Sequence, residues 1–100
     1  MKPPKIVLKL KNMKVLRDDQ AIFICAIDGN PSPKIRWRIN QSFTLPKRFS
    51  VTKISPKKSL LRINPVKLDD NKTRITCLAQ NSLGSTDSYA SLSVYANKQG

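Results

Sequence analysis

From Lys34 to Asn40 the chain alternates without a break: Ile35, Trp37 and Ile39 fall on one side of an extended backbone, Lys34, Arg36 and Arg38 on the other. A period of two marks a half-buried strand and does not fit a helical face. The same period returns in Gln20–Ile27, with Ala21, Phe23, Cys25 and Ile27 on one face. It returns again in Arg74–Asn81 (Ile75, Cys77, Ala79) and in Tyr89–Tyr95 (Ala90, Leu92, Val94). Phe49–Ile54 and Ser59–Ile63 read as further strands, the second ended by Pro65. Two short edge strands are expected within Ile6–Leu16, where Pro3, Pro4 and repeated lysines discourage further pairing. Asp28-Gly29-Asn30-Pro31-Ser32-Pro33 is expected to be a turn. No helical periodicity of any length interrupts this series, and short strands separated by turn clusters predict an all-β sandwich.

A chain of 100 residues is the size of one domain, expected over 1–100 with its core at about 5–96. No apolar run approaches the roughly 18–20 residues of a membrane span. Met1-Lys2-Pro3-Pro4 is followed by no long apolar segment and is not expected to be a secretory signal. The natural protein is expected to be longer, with neighbouring domains.

Cys25 and Cys77 both fall on apolar faces of separate strands, and Trp37 follows the first by twelve residues. This spacing resembles the immunoglobulin superfamily, in its intermediate or I-set form. Cys25-Ala26-Ile27-Asp28-Gly29-Asn30-Pro31-Ser32-Pro33, Leu60-Leu61-Arg62-Ile63 with Val66, and Cys77-Leu78-Ala79-Gln80-Asn81-Ser82-Leu83-Gly84 extend the resemblance over about residues 3–96. It implies a two-sheet Greek-key sandwich, a Cys25–Cys77 disulfide between the sheets, and an indole packed against it. Closing a loop of about fifty residues stabilises the fold by roughly 4 kcal/mol in the chain-entropy model. The family's Asp-x-Gly/Ala-x-Tyr-x-Cys motif is not kept: Asn71, Thr73 and Ile75 hold its first three marked positions. The tyrosine corner hydrogen bond is therefore expected to be absent or replaced.

More narrowly, Lys47-Arg48-Phe49, Leu61-Arg62-Ile63-Asn64-Pro65-Val66, Asp69-Asp70 and Ala79-Gln80-Asn81-Ser82 resemble the first immunoglobulin domain of LAR-type receptor tyrosine phosphatases. That resemblance implies heparan sulfate binding through lysines and arginines after the tryptophan strand and near the turn between the fifth and sixth family strands. The family's tight lysine cluster just after the tryptophan is missing, since Arg38 is followed by Asn40-Gln41-Ser42-Phe43 and the cations resume at Lys47. The I-set domains of muscle and cytoskeletal proteins share much of the same pattern.

Charge is the other constraint. Nineteen lysines and arginines face six acids, all aspartate, for a formal net charge of +13. No acid lies between Asp28 and Asp69, a stretch that holds ten cations. An excess this large attracts polyanions over a Debye length of about 10 Å. Lys34, Arg36 and Arg38 are expected to stand in a row on the solvent face of their strand, joined by Arg74 from the neighbouring one. Lys47 and Arg48 extend the candidate site from the next connection, and Lys57 and Lys58 from the start of a later strand. Arginines so arranged can fork onto sulfate or phosphate oxygens. Singly, each of these residues reads as the solvated side of a strand.

Catalysis is not expected. The chain has no histidine, no nucleophile elbow and no phosphate-binding glycine loop, and the cysteines read as a disulfide and not as a metal pair or nucleophile. No cofactor or metal is expected. Nucleic acid is disfavoured as a partner, because Trp37 and Phe23 belong to the core and Phe43, Phe49, Tyr89 and Tyr95 are not expected within the cation row. Asn40-Gln41-Ser42 and Asn71-Lys72-Thr73 form two glycosylation sequons. The first lies close to the row, where a glycan would shield it. The expected function is an extracellular binding module of a cell-surface adhesion or signalling receptor, taking an anionic glycan such as heparan sulfate or an acidic protein. The alternatives are a cytoplasmic cytoskeletal domain binding an acidic filament, and a structural spacer.

Overall fold

The computed structural model describes residues 1–96; residues 97–100 of the expected domain lie outside it. Eight strands are found: β1 (Lys2–Leu8), β2 (Met13–Leu16), β3 (Ala21–Asn30), β4 (Lys34–Ile39), β5 (Phe49–Ser55), β6 (Lys58–Ile63), β7 (Thr73–Asn81) and β8 (Gly84–Tyr95). A single 3-10 turn at Leu68–Asp70 joins β6 to β7. The strands form two four-stranded sheets, in the orders β1-β3-β6-β5 and β2-β8-β7-β4. All pairs are antiparallel except β2 with β8. Only β5–β6 and β7–β8 follow one another within a sheet, and every other connection crosses the sandwich, which is the Greek-key pattern.

The alternating residues meet between the sheets. Ala21, Cys25, Leu61, Ile63, Ile75, Cys77 and Leu92 have no exposed surface. Each buried Leu or Ile contributes on the order of 2 kcal/mol relative to exposure. Cys25 and Cys77 are joined across the sheets with their Cα atoms 6.4 Å apart. Trp37 is the register partner of Cys77, and its indole Nε1 donates 2.9 Å to Ser59 Oγ, the register partner of Cys25. The buried N–H thus finds an acceptor on the opposite sheet, beside the disulfide.

Three boundaries differ from the sequence expectation. β3 continues through Asp28-Gly29-Asn30, because β1 pairs with it as far as Lys2 opposite Asn30 and supplies the ladder those turn-forming residues lack. Gly29 is required there: it has φ +153°, and a Cβ would lie 2.7 Å from Pro33 Cγ. β8 begins at Gly84 and not near Tyr89, since β7 templates the polar Ser85–Ser88 stretch through an unbroken antiparallel register. Pro3 and Pro4 lie inside β1, an edge strand whose register shifts between Lys2 and Lys5 where they sit.

The corner that lacks its tyrosine is held differently. Ile75 is fully buried, and neighbouring side chains make the hydrogen bonds. Asp70 accepts a fork from Arg48, with Nη1 at 2.7 Å and Nη2 at 3.0 Å, and also the backbone N–H of Lys67 at 2.8 Å. Arg48 Nη1 donates as well to the carbonyl of Pro65, and Asn71 Oδ1 accepts the N–H of Val94.

Candidate functional site

β4 is the terminal strand of its sheet, and its period-two pattern puts Ile35, Trp37 and Ile39 inward and Lys34, Arg36 and Arg38 outward. Register carries the outward set across the sheet: Lys34 faces Gln80, Arg36 faces Leu78 and Arg38 faces Thr76 on β7, which continue to Ser85, Asp87 and Tyr89 on β8. Arg74 closes the row at its lower end, where its backbone N–H and C=O bond the side-chain oxygen and the N–H of Asn40. Lys34, Arg36, Arg38 and Arg74 therefore share one face. Among the described residues none of the four joins an ion pair.

Two aromatic side chains brace this row, contrary to the expectation that none would sit in it. The Arg36 guanidinium carbon lies 3.8 Å from the Phe43 ring centroid, and that of Arg38 lies 5.9 Å from the same ring. Arg74 lies 4.5 Å from the centre of Tyr89. Phe43 arrives through a two-residue turn in which Ile39 and Ser42 exchange both backbone hydrogen bonds, with Asn40 at φ 54°. Asparagine tolerates that left-handed conformation. The turn folds Phe43 back beside β4. Cation–π contact of this kind is worth roughly 0.5–1 kcal/mol at an exposed site, and it fixes a charge without neutralising it. Thr76 lies between Arg38 and Tyr89 in register and is 1% exposed although it faces outward. Its Oγ1 and the Nε of Arg38 are both shut from solvent without a hydrogen-bond partner among the described residues.

The other candidate cations are not brought to this face. Arg48 is consumed by Asp70. The Asp70 carboxylate raises the Arg48 pKa further. For Asp70 itself, burial pushes the pKa up, but hydrogen bonds from Arg48 and the Lys67 backbone more than offset this and hold it below the ordinary value. Lys57 pairs with Asp28 at 2.8 Å, which lowers the Asp28 pKa. Lys58 opens β6 in the other sheet, opposite Ala26. Lys47 is exposed in the β4–β5 connection and makes no ion pair among the described residues. Phe49, expected among the surface aromatics, is buried. Both sequon asparagines are exposed, and each uses its side-chain oxygen as a backbone acceptor.

Phe43 and Tyr89 are the residues that sequence reasoning missed. Tyr89 was open to inference, because period two from Ala90, Leu92 and Val94 turns it outward. Phe43 depends on a turn with no glycine to announce it.

Comparison with known proteins places these features. The immunoglobulin I-set domain model matches residues 4–94. The LAR-like tyrosine-protein phosphatase of Caenorhabditis elegans is 35% identical over 82 residues, covering 81% of this chain and 4% of that protein. Titin of Drosophila melanogaster is 34% identical over 93 residues, covering 93% of this chain and a share of titin that rounds to 0%. The solved N-terminal Ig1-2 module of the Drosophila receptor protein tyrosine phosphatase DLAR superposes with a TM-score of 0.89 at 32% identity, over 97% of this chain and 51% of that one. The chain thus spans a small fraction of the curated relatives it matches, and the structural match to DLAR lies in its immunoglobulin repeats and not in a phosphatase domain. The sandwich, the Cys25–Cys77 bridge with Trp37 beside it, and these matches together show that the chain is a non-enzymatic module that belongs to the immunoglobulin I-set family.

Proposed function

We propose that this chain is one domain of a longer cell-surface receptor, lies outside the cell, and recognises an anionic glycan of the heparan sulfate type through the outer face of β4 and β7. The observation that carries this reading is the row Lys34, Arg36, Arg38 and Arg74, free of ion pairs among the described residues, with its three arginines braced on Phe43 and Tyr89. Cations not neutralised by an ion pair among the described residues offer sulfates several charge-assisted contacts at once. The similarity to receptor tyrosine phosphatases supports the receptor setting. Lys47 stands apart in the β4–β5 connection, and Arg48 and Lys57 are committed to Asp70 and Asp28. Asn40 and Asn71 are proposed as glycan acceptors, their side-chain nitrogens making no hydrogen bond among the described residues. A glycan on Asn40 would cover Arg74 and tune the site.

The similarity to titin favours a second reading, a cytoplasmic cytoskeletal domain whose basic face meets an acidic filament and whose cysteines stay reduced. Heparin-affinity elution across a salt gradient, run beside a cation-exchange resin of similar charge density, tests the first. Later elution from heparin than from the plain resin supports it. Equal elution leaves only a basic protein and overturns it. The redox state of Cys25 and Cys77 in the native protein separates the two settings.

A further inference from the structure

We propose that the outer edge of β4 docks an extended acidic protein segment, in which acidic and apolar residues alternate, as an added strand of the sheet. β4 has β7 on one side only. Ile39 turns its N–H and C=O away from β7, onto Ser42 at 2.8 and 2.9 Å. By strand alternation Trp37 and Ile35 present their N–H and C=O to the same side. Among the described residues nothing bonds to those four groups. The turn at Asn40 caps the lower end of this edge and leaves the upper part open.

Two grooves meet at that open part. One, of about 550 Å³, runs between β4 and β5 and is lined by Pro33, Ile35, Val51, Lys53 and Ser59. The other, of about 530 Å³, lies on the outer face against Ile35, Arg36, Leu78 and Gln80. Val51 pairs with the fully buried Leu61 and so faces inward, yet it is 46% exposed, because β4 and β5 do not close over it. A strand added to β4 sends alternate side chains to opposite sides. One set meets Ile35 and Val51, which select apolar residues. The other runs beside Lys34, Arg36 and Arg38, which select carboxylates.

The occupant follows from charge. No acid lies between Asp28 and Asp69, and Lys34, Arg36, Arg38 and Lys53 are free of ion pairs among the described residues. A second copy of this chain is the wrong partner, because β4 against β4 would set like charges opposite one another in a protein of net charge +13. A glycan satisfies the cations but has no backbone ladder to offer Ile35 and Trp37, whereas an extended peptide supplies both. This inference does not depend on the glycan reading, although the two ligands would share Arg36 and Arg38 and compete for them.

The test is amide hydrogen exchange of the full chain with a synthetic peptide of about nine residues alternating aspartate and valine, a strand-length segment. At a peptide concentration about ten times its Kd, exchange at the Ile35 and Trp37 amides is expected to slow by about tenfold. A peptide of the same composition with its aspartates and valines in blocks, and an alternating peptide N-methylated at every second residue, are expected not to protect these amides. Val51→Ser, at a half-exposed edge position, is expected to weaken binding of the alternating peptide while leaving heparin elution unchanged. Equal protection by alternating and block peptides overturns the proposal in favour of charge alone. Protection at the β1 or β5 edge instead of β4 also overturns it. Because heparin elution is read on the same samples, failure of either reading is seen separately.

Discussion

At one end of the sandwich Arg48 forks onto Asp70, while on the outer face of the β4 sheet Arg36, Arg38 and Arg74 lie against Phe43 and Tyr89 with no carboxylate in ion-pair distance among the described residues. The residue type is the same and the supply of acid differs. Six aspartates serve nineteen cations, and the ion pairs they form use Asp18, Asp28 and Asp70, in loops, at a strand end and at a corner of the fold. Where an acid is placed, the guanidinium is spent on holding the structure together. Where none is placed, an aromatic ring positions the charge without neutralising it. A basic residue in this chain therefore cannot be given a role from its own identity; its neighbour decides.

Substitutions sharpen that contrast. Arg48→Ala should produce the largest change in stability, about 2–3 kcal/mol in denaturant unfolding. That is at or below the lower end of the roughly 3–5 kcal/mol for a broken buried pair, because the Arg48 side chain is 30% exposed while Asp70 is only 9% exposed. Heparin elution of this variant should not move, and a shift as large as that of the outer-face variants would erase the distinction between the two regions. Arg36→Asp combined with Arg38→Asp should do the reverse: polyanion affinity falls by about 1–2 kcal/mol while the unfolding midpoint barely changes.

Acid titration probes the corner alone. Asp70 is held below its ordinary value, so the unfolded chain takes up that proton first, near pH 4. The stabilisation is thus complete at neutral pH and is lost as pH falls below about 4 toward the folded-state value. Asp70→Asn should remove this part of the acid limb, which thermal unfolding between neutral and acid pH would reveal. The smallest effect belongs to Phe43→Ala, which should cost about 0.5–1 kcal/mol in heparin affinity by letting Arg36 move, with no change in net charge. An unchanged affinity would show that the ring is a bystander.

Much of the fold could be read from the chain because its inward residues repeat every second position, and Cys25, Trp37 and Cys77 fix which strands face one another. The row on β4 was legible for the same reason: period two assigns Lys34, Arg36 and Arg38 to the face opposite Trp37. What could not be read depends on register across the sandwich. Nothing local to Arg48 indicates that Asp70, on the turn before β7, will reach it. Nothing local to Arg36 indicates that Phe43 will fold back over it. The start of β8 was hidden because Ser85, Asp87 and Ser88 carry no apolar pattern, and the ladder with β7 overrides their weak strand preference.

The hydrogen bond from Trp37 to Ser59 has a consequence for recognition. Trp37 lies between Arg36 and Arg38 in the chain, and its indole is anchored to the opposite sheet beside the disulfide. The stretch of backbone that carries the two arginines therefore acts as a rigid ruler, with graduations of about 6.5–7 Å set by the strand repeat. A ligand cannot make this ruler stretch. It must bring negative groups at a matching pitch, so the surface should discriminate among polyanions by the spacing of their charges more than by their number.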